Sequence, residues 1–133
     1  MSRSGYSDDC ENIWLYRNSV DRAIEGKRGQ AFLRELVVSL DAMPAKELIP
    51  GELIDDECRV CALGAVGLYR GTNMLDLEHG DPEMIGDAFG IARSMAAEIE
   101  YMNDEGNQYS ETAEERWQRM RDWASINIQE ERR

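Results

Sequence analysis

The stretch Gln30-Ala31-Phe32-Leu33-Arg34-Glu35-Leu36-Val37-Val38-Ser39-Leu40-Asp41-Ala42-Met43-Pro44 decides the fold class. Phe32, Leu33, Leu36, Val37, Leu40 and Met43 recur at helical spacing, so a helix from Gln30 to Met43 lays them along one wide apolar stripe. Pro44 stops it, because proline disfavours helical geometry in the residue before it. Upstream, Asp8 or Asp9 is placed to cap a helix from about Glu11 to Glu25, with Ile13, Tyr16, Val20, Ala23 and Ile24 on one face. Gly26 ends that helix, and Gly26-Lys27-Arg28-Gly29 reads as a short connection.

Downstream, residues 45–59 hold Pro50-Gly51 and an acidic cluster, and so read as a loop with a short extended piece near residues 52–54. Cys58 to Gly71 reads as a buried third helix. Its Ala62, Gly64, Ala65 and Gly67 fit only if a neighbouring helix packs closely on that backbone, since glycine lowers helix propensity. Asp81-Pro82 opens a fourth helix, an N-cap followed by proline at the first helical position, with Met84, Ile85, Ala88 and Phe89 inward and Gly90 as its break. A fifth runs from Ile91 to Met102 on Ile91, Met95, Ile99 and Met102, and Asn103-Asp104-Glu105-Gly106 closes it. Thr112-Ala113-Glu114-Glu115 is a capping box opening a last helix with Ala113, Trp117, Met120, Ala124 and Ile128 on one face. The expectation is an all-α single-domain bundle of five or six helices over residues 11–128, with a flexible N-terminus at 1–10 and a frayed end at 129–133.

Length and composition agree. A chain of 133 residues forms one domain, and 42% hydrophobic content fills its core, which argues against intrinsic disorder. No run reaches the roughly 18 to 20 apolar residues of a membrane span, and residues 1–6 lack the apolar core of a secretory signal. Three cysteines fit a reducing compartment better than a disulfide framework. The expectation is a soluble protein inside the cell that makes it.

With 27 acidic against 15 basic side chains the net charge is −12, which argues against direct nucleic-acid binding, since that affinity comes from Lys and Arg displacing counterions. The excess is local: residues 51–110 carry 13 acidic and 3 basic side chains. Its carboxylates fall into Glu52, Asp55, Asp56 and Glu57, then Asp76, Glu78, Asp81, Glu83 and Asp87, then Glu98, Glu100, Asp104 and Glu105, offset only by Arg59, Arg70 and Arg93. Such crowding lowers stability by self-repulsion unless it is diluted over the surface for solubility or its field serves a partner.

No catalytic constellation stands out. Cys58 and Cys61 form a C-x-x-C pair without a surrounding βαβ pattern and read as two buried structural thiols. A zinc site drawn from Cys10, Cys58, Cys61 and His79 would have irregular spacing. His79, the sole histidine, lies in the polar turn Glu78-His79-Gly80 and reads as an exposed loop residue. A calcium loop over Asp76, Glu78, Asp81 and Asp87 fails, because Asp81 stands where glycine is needed and the closing Glu is missing. Gly26-Lys27-Arg28-Gly29 is not a Walker motif and reads as a basic connection rather than an anion cradle. Ile85 to Ile99 has the outline of a helix-turn-helix, but its second helix sets Arg93 against Glu98 and Glu100, so it reads as helix packing. No enzyme activity, cofactor or metal is expected.

The clustered negative field remains. Carboxylates on helix ends and loops imitate the phosphate row of nucleic acid, which carries one charge per roughly 1.7 Å of duplex axis. Glu52, Asp55, Asp56, Glu57, Asp76, Glu78, Asp81, Glu83 and Asp87 are the candidate partner-binding residues, for a host protein or ribonucleoprotein complex with a basic nucleic-acid groove. The alternative is a structural or regulatory module in which exposed apolar side chains such as Trp14 and Trp123 drive self-association or binding to a partner.

The stretches Gly26-Lys27-Arg28-Gly29-Gln30-Ala31-Phe32-Leu33-Arg34-Glu35-Leu36, Cys61-Ala62-Leu63-Gly64-Ala65-Val66-Gly67, Ala88-Phe89-Gly90-Ile91-Ala92, Asn103-Asp104-Glu105 and Glu111-Thr112-Ala113-Glu114-Glu115-Arg116-Trp117 resemble small phage- and prophage-encoded proteins without assigned activity. The resemblance spans most of residues 26–123 and brings no catalytic residues. It implies a phage origin, location in the cytoplasm of an infected bacterium, and a role similar to anti-CRISPR or anti-restriction inhibitors, or, for the alternative, a phage structural or regulatory module that self-associates or binds a phage partner.

Overall fold

In the computed structural model, which describes residues 10–105 and 111–129 and side chains from residue 15 onward, the stripe on residues 30–43 becomes the wall on which the domain is assembled. Six helices follow in order: α1 (Cys10–Glu25), α2 (Lys27–Ala42), α3 (Ala62–Arg70), α4 (Pro82–Phe89), α5 (Arg93–Glu105) and α6 (Ala113–Asn127). α2 packs on α3 and α6, α4 on α5, and α1 on both α2 and α5. One continuous core joins Tyr16 and Val20 of α1 to Leu33, Leu36 and Leu40 of α2, Leu63 and Val66 of α3, Ile85 of α4, Met95 and Ile99 of α5, and Met120 of α6. The fold is all-α. Among the described residues the only β pairing is a single antiparallel bridge, Ile54 to Val60, where the short extended piece was expected.

The local punctuation acts as its chemistry predicts. The Asp81 carboxylate accepts from the Met84 amide at 3.1 Å ahead of Pro82, and Gly90 closes α4 in the left-handed region at φ 77°. Thr112 and Glu115 exchange the two capping-box bonds at 3.1 and 3.0 Å. The expected cap at Asp8 or Asp9, the apolar contact of Ile13, Gly106 and the two chain ends lie outside the described residues.

Several boundaries differ. α2 begins at Lys27, not Gln30, so the four-residue connection shrinks to Gly26. Gly29 lies in the first turn of α2, and a Cβ there would sit 1.9 Å from the Ala23 carbonyl oxygen, so the close approach of α1 and α2 selects glycine. α3 begins only at Ala62, with the Cys61 sulfur accepting from the Gly64 amide at 3.4 Å. Its two glycines accommodate loops rather than a helix: a Cβ on Gly64 would meet the Leu53 carbonyl oxygen at 2.0 Å, and one on Gly67 the Met74 sulfur at 2.2 Å. On α4, Met84 and Ala88 face outward while Ile85, Gly86 and Phe89 are buried.

α5 departs furthest from the amphipathic reading. It runs to Glu105, and Met95, Ala96, Ala97, Glu98, Ile99 and Glu100 are buried in succession, so it is the central helix and has no open face there. A helix enclosed in this way cannot lie in a DNA groove, which rules out the helix-turn-helix geometry for Ile85 to Ile99.

Candidate partner-binding site

The acidic middle segment is built on one turn of α5. Glu100, Asn103 and Asp104 stand at i, i+3 and i+4, so their side chains emerge together. Asn103 accepts from the Ala62 amide and donates to the Ile49 carbonyl, each at 3.0 Å. The Asp104 Oδ1 accepts from the Gly51 amide at 3.0 Å and from Asn103 Nδ2 at 2.9 Å. Arg116 of α6 secures the same loop, donating to the carbonyls of Asn103 (3.0 Å) and Leu48 (3.2 Å). The second loop is held from the other side: Glu100 accepts from the Gly80 amide at 2.9 Å, and His79 Nε2 lies 2.7 Å from Asp104 Oδ2 and 3.4 Å from Glu100 Oε2.

His79 is therefore not the exposed loop residue expected. Its Nε2 is buried against the two carboxylates, a contact that becomes an ion pair when the imidazole is protonated. The adjacent Asp104 carboxylate, helped by Glu100 and Glu52, raises the imidazole pKa against the opposing effect of burial. Burial likewise raises Glu100. Burial pushes Asp104 upward too, but His79, Asn103 and the Gly51 amide outweigh it and hold that carboxyl below its ordinary value.

Between the two loops lies a groove of about 420 Å³. Leu53, Ile54, Met74 and Leu77 contribute its apolar lining, Glu52 and Glu78 its acidic rim, and His79 one end. Leu75, also at the groove, is 86% exposed.

The nine predicted carboxylates divide by environment. Glu52, Asp56, Asp76, Glu78, Glu83 and Asp87 are exposed, and none of them forms an ion pair among the described residues. Glu52 and Glu78 meet at the groove, and Glu83 and Asp87 share an outward face of α4 at i and i+4. The other three are engaged. Asp55 accepts from the amides of Glu57 and Arg59 and from Arg59 Nε at 2.8 to 2.9 Å, and bonds from those amides and that guanidinium overcome desolvation to lower its pKa. Glu57 is 3.7 Å from the same guanidinium, and Asp81 is occupied as the α4 cap.

The third carboxylate group lies mostly inside. Glu98 is buried and accepts from Tyr16 Oη at 2.8 Å and Arg17 at 3.2 Å. Nor does Arg70 offset the acidic segment: it pairs with Glu35 of α2 at 2.5 Å and lies 5.7 Å from the ring centroids of Phe32 and Phe89. The signal for the His79 clamp was the i, i+3, i+4 spacing of Glu100, Asn103 and Asp104, since polar groups on an enclosed helix must find partners.

The cysteines separate as well. Cys61 is buried, and desolvation pushes its thiol up to about 12, which makes it unreactive. Cys58 corrects the expectation of two buried thiols: it is exposed, outside α3, in a left-handed turn at φ 62°. Among the described residues no group of three or more His, Cys, Asp or Glu side chains is placed to hold a metal ion, and no helix is long and apolar enough to cross a membrane. No family model, curated protein or solved structure matches the chain.

Proposed function

We propose that this chain is a non-enzymatic phage counter-defence protein of anti-CRISPR type that acts in the cytoplasm of an infected bacterium. It binds a host nucleic-acid-handling complex through the acidic surface of its middle segment, in place of nucleic acid. One observation carries the reading: six of the nine candidate carboxylates are exposed without an ion-pair partner among the described residues. Carboxylates serving only solubility are commonly interleaved with Lys and Arg, whereas of the three arginines of this region Arg59 pairs with Asp55 and Glu57 and Arg70 with Glu35 of α2, which leaves Arg93, exposed at the start of α5, to offset the six. A field of one sign speeds encounter with a basic groove and makes the affinity sensitive to salt.

The test is charge reversal away from the loop clamps. Asp56→Lys, Asp76→Lys and Asp87→Lys together are expected to abolish protection of a targeted phage in cells carrying CRISPR interference, while the circular-dichroism melt shows a folded domain. Undiminished protection by the folded triple variant would overturn the reading.

The self-association alternative draws on different residues from those expected. Trp123 packs partly against the core, and the side chain of Trp14 lies outside the described residues. The consecutive Leu68 and Tyr69 at the end of α3 are about half exposed and provide the apolar surface. Self-association through them would survive high salt and be visible by light scattering, unlike a charge-driven contact.

A further inference from the structure

We infer that the groove between residues 52–54 and 74–79 receives an apolar side chain flanked by Lys or Arg from a protein partner, so that recognition here reads protein sequence rather than imitating phosphate alone. The inference rests on the acidic-surface reading and deepens it. Nucleic acid presents no apolar floor to its partners in this form, yet Leu53, Ile54, Met74 and Leu77 line the space beneath Glu52 and Glu78.

Leu75 strengthens the case. It is 86% exposed, and its turn is internally braced, with the Leu75 amide donating to Asn73 Oδ1 at 3.0 Å and the Leu77 amide to the Met74 carbonyl at 3.1 Å. The fold thus holds a large apolar side chain out at the groove instead of folding it onto the core. Both walls are also fixed to α5, one through Asp104 and Asn103, the other through Glu100, so the groove exists before a partner arrives and little ordering is needed on binding.

Charge complementarity selects the occupant. Glu52 and Glu78 stand on different walls and form no ion pair with Lys or Arg among the described residues, and His79 beside them is engaged with Asp104 and Glu100. An apolar residue entering between them brings its neighbours within reach of the two carboxylates, where Lys or Arg is favoured and Asp or Glu repelled.

The probe is a nine-residue fluorescent peptide with a central leucine and two arginines on each side, compared with the same peptide carrying serine at the centre and with one in which glutamines replace the arginines. Fluorescence anisotropy on the full chain is expected to give about tenfold tighter binding of the leucine–arginine peptide than of either control. Leu75→Ser is expected to remove the leucine preference, and Glu52→Gln with Glu78→Gln the arginine preference, both with unchanged melting curves. Equal binding of the leucine and serine peptides would overturn the groove inference and leave the acidic surface standing. Equal binding of the glutamine peptide would overturn the charge complementarity, and no binding of any arginine peptide would overturn the acidic-surface reading with it.

Discussion

Asn103 and His79 place loops by different means, and they differ in what pH does to them. Asn103 works through neutral hydrogen bonds to Ala62 and Ile49 that no titration disturbs. His79 works through charge. Because Asp104 raises its pKa above the ordinary 6.5, the protonated ring stabilises the native state; that contribution is complete below pH 6.5 and is lost as pH rises through the folded value. Glu100, raised by burial, also loses stability as pH climbs past 4.5 towards its folded value, whereas lowered Asp104 contributes above 3.8 and loses its contribution as pH falls through its folded value. His79→Gln is therefore expected to flatten the fall in melting temperature above pH 6.5. Parallel pH profiles for the two proteins would assign the clamp no charge-dependent role. The clamp was hard to read from sequence because Glu78-His79-Gly80 is a polar turn whose partners lie on a helix formed later in the chain. Burial of an imidazole is decided by what folds over it.

At the scale of elements, start and stop signals were legible because they act within a turn of themselves. Asp81-Pro82, Gly90 and the Thr112–Glu115 box each satisfy exposed amides or carbonyls locally, whatever the helix packs against. The glycines of α3 were legible as a demand for close approach but not as to what approaches. Gly64 faces backbone, which cannot move aside, whereas Gly67 faces the flexible Met74 side chain. Gly64→Ala is accordingly expected to destabilise by roughly 3 kcal/mol, and Gly67→Ala by much less, because methionine repacks readily. Urea denaturation midpoints measure this directly, and matching midpoints would mean the Leu53 strap is not held against α3. α5 shows where periodicity stops informing. Its apolar positions Met95 and Ile99 were read correctly, yet Glu98 and Glu100 are buried too, each given a partner by another element.

For the whole molecule, charge and core pull in opposite directions. The net −12 is carried by exposed carboxylates whose mutual repulsion opposes the compact state, while a core joining all six helices opposes unfolding. Raising salt from about 20 to about 500 mM shortens the Debye length to a few Å and is expected to raise the melting temperature of the isolated chain, while weakening its charge-driven binding. A melting temperature that falls over that range would show that the ion pairs, chiefly Arg70–Glu35 and Arg119–Glu111, outweigh the repulsion. The sequence by itself determined the all-α class, most helix boundaries and the acidity of the middle segment, because periodicity, capping and charge are properties of neighbouring residues. Only the tertiary structure decided that α5 is enclosed, that His79 is clamped, that Asp55 and Asp81 are engaged while six other carboxylates stay open, and that an apolar groove lies beneath two of them. Those outcomes depend on which surfaces meet, and residues distant in sequence meet only when the core has formed.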